Sequence, residues 1–195
     1  MKKNRILLTG ILMTLMVGIF TSFAMPAQAV NRHKQVQKTV ENIYSATKRN
    51  DLKAVKKNVA IQKNSIINAF WPQMKKYHKD LSYEVKSVDV TGKKAVVRVK
   101  VKYQNLSRVH YRALDRYNKW YLAQSKKPSI KAVQANYRAN FKKEVKGYQK
   151  KYSAKTVKLT LNRKGEVWKA NTLNKGGIDS ITGGYQTAFD AYYKE

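Results

Sequence analysis

The chain contains no cysteine, and that absence removes a disulfide framework, a thiolate zinc site, a cysteine nucleophile and a lipid-modified N-terminal cysteine. Acids are also scarce: 11 Asp+Glu stand against 41 Lys+Arg in 195 residues, a formal charge of +30. They are scattered as well. No two acids stand at a spacing that brings a carboxylate pair onto one helix face. Glu84 and Glu166, on predicted strands, lie among lysines that keep them ionised. A hydrolase built on paired carboxylates is therefore disfavoured. Histidine occurs three times, as His33, His78 and His110, in separate elements and without HxH or HExxH spacing. Single histidines of this kind read as surface or partly packed residues. His110 and Asp115, the nearest thing to a catalytic pair, are five residues apart and too far round a helix to share a face. The sequence thus nominates no catalytic residue, no metal ligand and no cofactor. Gly176-Gly177 and Gly183-Gly184 lack the spacing that cradles phosphates and read as turns and helix caps.

What is present begins with a leader. Lys2-Lys3-Asn4-Arg5 is a positive start, residues 6–20 are almost wholly apolar, and Ala27-Gln28-Ala29 places small residues where a signal peptidase reads. The apolar run falls short of the ~20 residues that span a bilayer. The expectation is a secretory signal over residues 1–29, cleaved after Ala29, and a mature protein outside the cytoplasmic membrane. Removing Lys2, Lys3 and Arg5 leaves 38 bases and 11 acids in 166 residues, still a formal +27. A secreted chain without cysteine fits a bacterial envelope.

The mature part reads as one α+β domain over residues 30–195. Val36, Val40, Ile43 and Tyr44 recur at helical spacing, Asn50-Asp51 offers an N-cap to a short second helix, and a third helical pattern from Ile66 to Tyr77 is interrupted at Pro72. The period then changes to two. Tyr83 and Val85 alternate, Val88 and Val90 alternate on the other parity, and a bulge near Ser87 reconciles them. After Thr91-Gly92, Ala95, Val97, Val99, Val101 and Tyr103 face one way while Arg98, Lys100 and Lys102 face the other. Residues 106–152 return to the helical period as an inserted pair of helices. The first carries Tyr111, Leu114, Tyr117 and Tyr121 and ends near Lys127-Pro128. Ser129 caps the second, whose stripe is Ile130, Val133, Tyr137, Phe141, Val145 and Tyr148. A second hairpin follows, with Val157, Leu159 and Leu161 inward, a turn at Asn162-Arg163-Lys164-Gly165 and a return strand around Trp168. A short helix with Phe189 closes the chain. The predicted architecture is three N-terminal helices on a curved antiparallel sheet of about four strands, with the helical pair between the two hairpins.

The second hairpin, Val157-Lys158-Leu159-Thr160-Leu161-Asn162-Arg163-Lys164-Gly165-Glu166-Val167-Trp168-Lys169, resembles the last hairpin of nuclear-transport-factor-2-like domains in small secreted Gram-positive proteins. Ile181-Thr182-Gly183-Gly184-Tyr185 is similar to the tail of some of those chains. The resemblance implies an antiparallel sheet curled around helices into a cone with a pocket. Many such relatives carry a lipid on a cysteine after the leader. Here that position is Val30, so lipid anchoring does not carry over. No catalytic residue of the enzyme members matches a position in this sequence.

Charge and aromatics carry the functional expectation. A mature +27 implies attraction to polyanions. Lysine supplies most of it, with 32 Lys against nine Arg. Lysine acts as a hydrated point charge where arginine makes bidentate forks, so the balance points to salt-sensitive adsorption, not to sequence-specific nucleic-acid reading. The expected partners are anionic cell-wall polymers or an anionic lipid surface, contacted by Arg98, Lys100, Lys102 and Lys158. Two alternatives stay open. One is a small-ligand pocket protein, with or without enzymatic activity, lined by Tyr83, Val97, Val99, Tyr103 and Trp168. The other is a secreted, non-specific nucleic-acid binder.

Overall fold

A computed structural model describes residues 27–59, 65–171 and 173–194, so the leader lies outside the described residues except for 27–29. In chain order the elements are α1 (Ala27–Lys48), α2 (Leu52–Asn58), α3 (Ser65–Phe70), a 3-10 turn (Trp71–Met74), α4 (Lys75–His78), β1 (Ser82–Thr91) and β2 (Lys94–Gln104). Then follow α5 (Ser107–Leu122), α6 (Ile130–Val145), β3 (Tyr152–Lys164), β4 (Val167–Ala170), α7 (Lys175–Thr182) and α8 (Tyr185–Lys194). The four strands form one antiparallel sheet in the order β1-β2-β3-β4. The fold is α+β, with helices before the sheet and the pair α5–α6 between its two hairpins, as the periodicities imply.

Helix α1 buries Val36, Val40, Ile43 and Tyr44 along one stripe. It stops in a Schellman motif. Asn50 adopts the left-handed conformation (φ +62°), its N–H donates to the Thr47 carbonyl at 2.8 Å, and Asp51 N–H reaches back to the Ala46 carbonyl at 2.9 Å. Asp51 then caps α2 by accepting from Ala54 N–H at 2.9 Å. Asn50 is thus the stop of one helix and Asp51 the start of the next. Pro72 sits in the first positions of the 3-10 turn, where its missing N–H leaves nothing unsatisfied.

The alternation of β2 sends Ala95, Val97, Val99, Val101 and Tyr103 into the core, where Val157, Leu159, Leu161 and Trp168 from β3 and β4 meet them. Burying each of the valines and leucines among them contributes about 1.5–3 kcal/mol. The register of β1 against β2 slips between Val85 and Ser87, the bulge that the change of parity requires. Both hairpins close on two residues, Gly92-Lys93 and Gly165-Glu166. In each the glycine has a positive φ (+59° and +60°) and the next residue does not, which is the II′ turn that matches strand twist. The second turn therefore lies later than Asn162-Arg163-Lys164-Gly165. Asn162, Arg163 and Lys164 all belong to the ladder, because the glycine must occupy the first central position.

The inserted helices differ from the sequence reading at their ends. Helix α5 stops at Leu122, which is 83% exposed, several residues short of Lys127-Pro128, because its last turn has no surface to bury against. Ser129 does cap α6, accepting from Ala132 N–H at 3.2 Å. Ile130, on the expected stripe, is 70% exposed, and only Tyr137 and Phe141 in the middle of α6 are fully buried. Tyr152 opens β3 and does not belong to the helical segment.

The tail builds a polar corner inside the core. Gly176 and Gly177 are helical, in the first turn of α7, whose N-cap Asn174 accepts from Gly177 N–H at 2.8 Å. Gly183 ends α7 in the left-handed conformation (φ +68°). The last two carbonyls of α7 are taken by two buried histidines. His78 Nε2–H donates to the Ile181 carbonyl and His110 Nε2–H to the Thr182 carbonyl, both at 3.0 Å. A carbonyl only accepts, so each ring proton sits on Nε2. His110 Nδ1 then accepts from the Tyr137 hydroxyl at 3.1 Å, and His78 Nδ1 lies 3.0 Å from the Asn50 side-chain amide. Asp179, fully buried, accepts from Thr187 N–H at 2.9 Å and from the Thr187 hydroxyl at 2.5 Å. Its carboxylate thereby sits at the positive N-terminal end of α8, which compensates for the missing counter-ion.

Candidate polyanion face and the adjoining cleft

The side of the sheet that faces away from the core is open. Along β2 its outward residues are Lys94, Val96, Arg98, Lys100 and Lys102, and along β3 they are Thr156, Lys158, Thr160, Asn162 and Lys164. β4 adds Lys169. All of the cations are exposed. Arg98, Lys100, Lys102 and Lys158 therefore stand together on one surface. Outward positions two apart on β2 are about 6.8 Å apart, and neighbouring strands about 4.8 Å apart, so the cations form a regular grid.

Two acids, Glu84 and Asp89, stand on β1 beside it, partnered with Lys100 and Val96 respectively. Glu84 is held by Lys86 at 2.6 Å, and that bond, aided by the charges of Lys86 and Lys100, keeps its carboxyl below the usual carboxylate range. Arg98, Lys102, Lys158, Lys164 and Lys169 have no carboxylate partner among the described residues. Arg98 and Lys158 are direct cross-strand partners. Like charges set opposite one another destabilise a sheet, so nothing in folding favours that pairing.

At the far end of β2 the grid runs into a cleft of about 350 Å³ lined by Lys76, Tyr77, Asp80, Gln104, Val145, Lys146, Tyr148 and Lys150. Gln104 stands two residues beyond Lys102, on the same side of the strand. It is nevertheless 3% exposed, because the turn after α4 covers it with Asp80. Asp80 Oδ2 accepts from Gln104 Nε2 and from the Tyr152 hydroxyl at 3.0 Å, with Lys150 Nζ at 3.7 Å. These bonds, led by that of Tyr152, hold the Asp80 carboxyl below its ordinary value. Lys102 lies over the Tyr152 ring, 4.8 Å from its centroid, and joins the cleft to the sheet face. Sequence reading did not single out Asp80, Gln104, Tyr77 or Tyr152. The one available signal was Gln104, which continues the outward parity of Arg98, Lys100 and Lys102.

The residues proposed as a pocket lining sit elsewhere. Val97, Val99, Tyr103 and Trp168 are packed in the core, and Tyr83 lies against it, stacked on Tyr44 at 5.2 Å with its hydroxyl 2.8 Å from Ser45 Oγ. The indole N–H of Trp168 has no partner among the described residues. Among the described residues, none of them lines that cleft or two further concavities. The larger of those, about 460 Å³, lies between the start of α5 and the end of α6 and includes Arg108, Arg112 and Lys151. The smaller, about 280 Å³, surrounds Glu144 and Asp115. Glu144 there is paired with Arg116 at 2.6 Å and Arg112 at 3.8 Å.

His110 and Asp115 do not meet. His110 is enclosed by Phe70, Phe141 and Tyr185, with ring centroids at 4.6–5.5 Å, while Asp115 bonds Lys119 on the surface. Burial lowers the His110 imidazole to about 3 and that of His78 to about 4, so both are neutral framework groups, more fully packed than the surface or partly packed histidines expected from the sequence. Among the described residues no cluster of three His, Cys, Asp or Glu side chains is placed to hold a metal ion, and no helix is long and apolar enough to cross a membrane.

No family model matches the chain, and no curated protein matches it. Among solved structures it is similar to the putative lipoprotein YcdA of Bacillus subtilis, with 18% identity and a TM-score of 0.35. That likeness covers 79% of this chain but 45% of the other, so this chain spans less than half of YcdA's length.

Proposed function

We propose that this protein is an exported, non-enzymatic α+β domain that associates electrostatically with anionic polymers of a Gram-positive cell envelope. The observation that carries the reading is the unneutralised cation grid on the open sheet face, with Arg98 and Lys158 placed side by side against the interest of the sheet. Outward lysines about 6.8 Å apart suit a flexible chain bearing one phosphate per few bonds, which can adjust its own spacing to each ammonium. A nuclear-transport-factor-2-like framework belongs to the same proposal, supported by the order of helices and hairpins.

The test is binding of the purified protein to isolated cell walls across a salt series. Four or so displaced counterions imply a loss of roughly three to four orders of magnitude in affinity for a tenfold rise in salt. The double substitution Arg98→Gln with Lys158→Gln should weaken binding and flatten that slope. Binding that persists near 1 M salt, where the screening length is about 3 Å, refutes the proposal.

A further inference from the structure

The cleft at the end of β2 presents polar groups that the fold leaves unused. The Tyr77 hydroxyl and Gln104 Oε1 are both buried and, among the described residues, without a hydrogen-bond partner, in residues 6% and 3% exposed. Gln104 cannot satisfy itself by turning its amide over. Asp80 accepts only, so Nε2 must face Asp80 and Oε1 is left as an open acceptor. Both bonds made to Asp80 fall on Oδ2. Buried polar groups are nearly always paired, and two orphans lining one cleft mark a place where a ligand completes the bonding.

The groups on offer define that ligand. Gln104 Oε1 and the Asp80 carboxylate call for donors, and the Tyr77 hydroxyl can give or take. Around them stand Lys76, Lys146 and Lys150, of which Lys76 and Lys146 have no carboxylate partner among the described residues. Those ammonium groups call for an anion. A bare phosphate would meet the Gln104 and Asp80 oxygens with nothing to donate, and a cation would be repelled by the lysines. A unit that carries free hydroxyls next to a phosphate satisfies both halves. Tyr77 and Tyr148, edge to face at 5.6 Å, supply apolar ring surface for its carbon skeleton.

We infer that this cleft binds one hydroxyl-bearing phosphate ester, a polyol-phosphate or sugar-phosphate unit, of the anionic polymer held along the sheet face. This rests on the polyanion reading and deepens it. The grid supplies charge without chemical discrimination, and the cleft, one outward position beyond Lys102, supplies recognition of the hydroxyls.

The test compares two probes, poly(glycerol phosphate) and the same polymer with its free hydroxyls O-methylated, titrated against the full protein at low salt. The charges are identical and only the donors differ. The native polymer should bind about three- to tenfold more tightly, the range expected from one or two added hydrogen bonds. Tyr77→Phe removes a hydroxyl that bonds nothing among the described residues. It should leave the thermal midpoint unchanged, cut the preference for native polymer at least about twofold, and leave the affinity for capped polymer as it was. Gln104→Met, which also removes a bond to Asp80, should reduce the preference in the same direction. Equal binding of the two polymers, or a preference that survives both substitutions, overturns the cleft while leaving the polyanion reading intact. If neither polymer binds at low salt, both readings are overturned.

Discussion

Arg98 and Lys158 are partners across the β2–β3 ladder, two cations side by side on an exposed sheet face with no carboxylate to separate them. Their repulsion costs the fold up to about 1 kcal/mol. Lys158→Glu turns that repulsion into attraction. It should raise the thermal midpoint by about 2–4 °C and at the same time weaken wall binding about tenfold or more. Opposite changes in stability and binding are the signature to look for, because a substitution that merely damaged the fold would lower both. Melting in parallel with wall-binding titrations checks it.

His78 and His110 should make the protein acid-sensitive well above the range where carboxylates titrate. Both imidazoles are lowered by burial, to about 4 and about 3, while in the unfolded chain they titrate near 6.5. Between those values the unfolded state binds more protons than the folded one. The stability they contribute is therefore whole above pH 6.5 and is lost as the pH falls towards 4 and below. From pH 7.5 to 5.0 the loss is on the order of 2 kcal/mol per histidine. Asp80, Glu84 and Asp190, whose carboxyls are held below their ordinary values, lose their contribution mainly below that window. Urea midpoints at the two pH values measure the loss, and His78→Asn should remove about half of the pH dependence.

The sheet was legible in the sequence because one face must be apolar. Strict alternation in β2 placed Val97 and Val99 inward and Arg98 and Lys100 outward, and the switch of parity in β1 located the bulge. Helix caps at Asp51 and Ser129 were legible for the same local reason. Turn position was less so, since both Asn162 and Gly165 are turn formers in one polar run and only the conformation of Gly165 decides between them. The histidines were opaque. Their partners are backbone carbonyls 72 and 103 residues away, and a lone histidine on a helix looks the same from sequence whether wet or buried. The cleft was hidden too, because Asp80, Gln104 and Tyr152 come together only through strand pairing.

The Gly183-Gly184 pair should tolerate no side chain. A Cβ at Gly183 would stand 2.9 Å from both Leu106 Cδ1 and Met74 Cε, on a backbone at φ +68°. Gly92 has a similar φ but open space around it. Gly92→Ala should cost about 1–2 kcal/mol, from backbone strain alone. Gly183→Ala adds roughly 1–3 kcal/mol of overpacking to the same strain and also disturbs the bond that Leu106 N–H makes to the Gly183 carbonyl at 2.8 Å. Chemical denaturation of the two variants should separate them clearly. Equal losses would mean that the corner is looser than its packing indicates.

Asp179 offers the sharpest distinction between charge and shape in the core. Among the described residues its two oxygens bond only Thr187, through the N–H and hydroxyl of that one residue, at the start of α8. Asp179→Asn keeps an oxygen for the Thr187 N–H and can donate to the Thr187 hydroxyl, losing mainly the charge–dipole attraction, about 0.3–1 kcal/mol. Part of that loss is offset because a buried charge disappears. Asp179→Ala instead strands a part-buried N–H and hydroxyl, each costing up to about 1–3 kcal/mol when unsatisfied, and opens a void at the fully buried Asp179 position. Urea unfolding should therefore rank the wild type and Asp179→Asn close together, with Asp179→Ala several kcal/mol lower. If the asparagine variant falls as far as the alanine one, the carboxylate's charge, and not its hydrogen-bonding shape, holds α7 to α8.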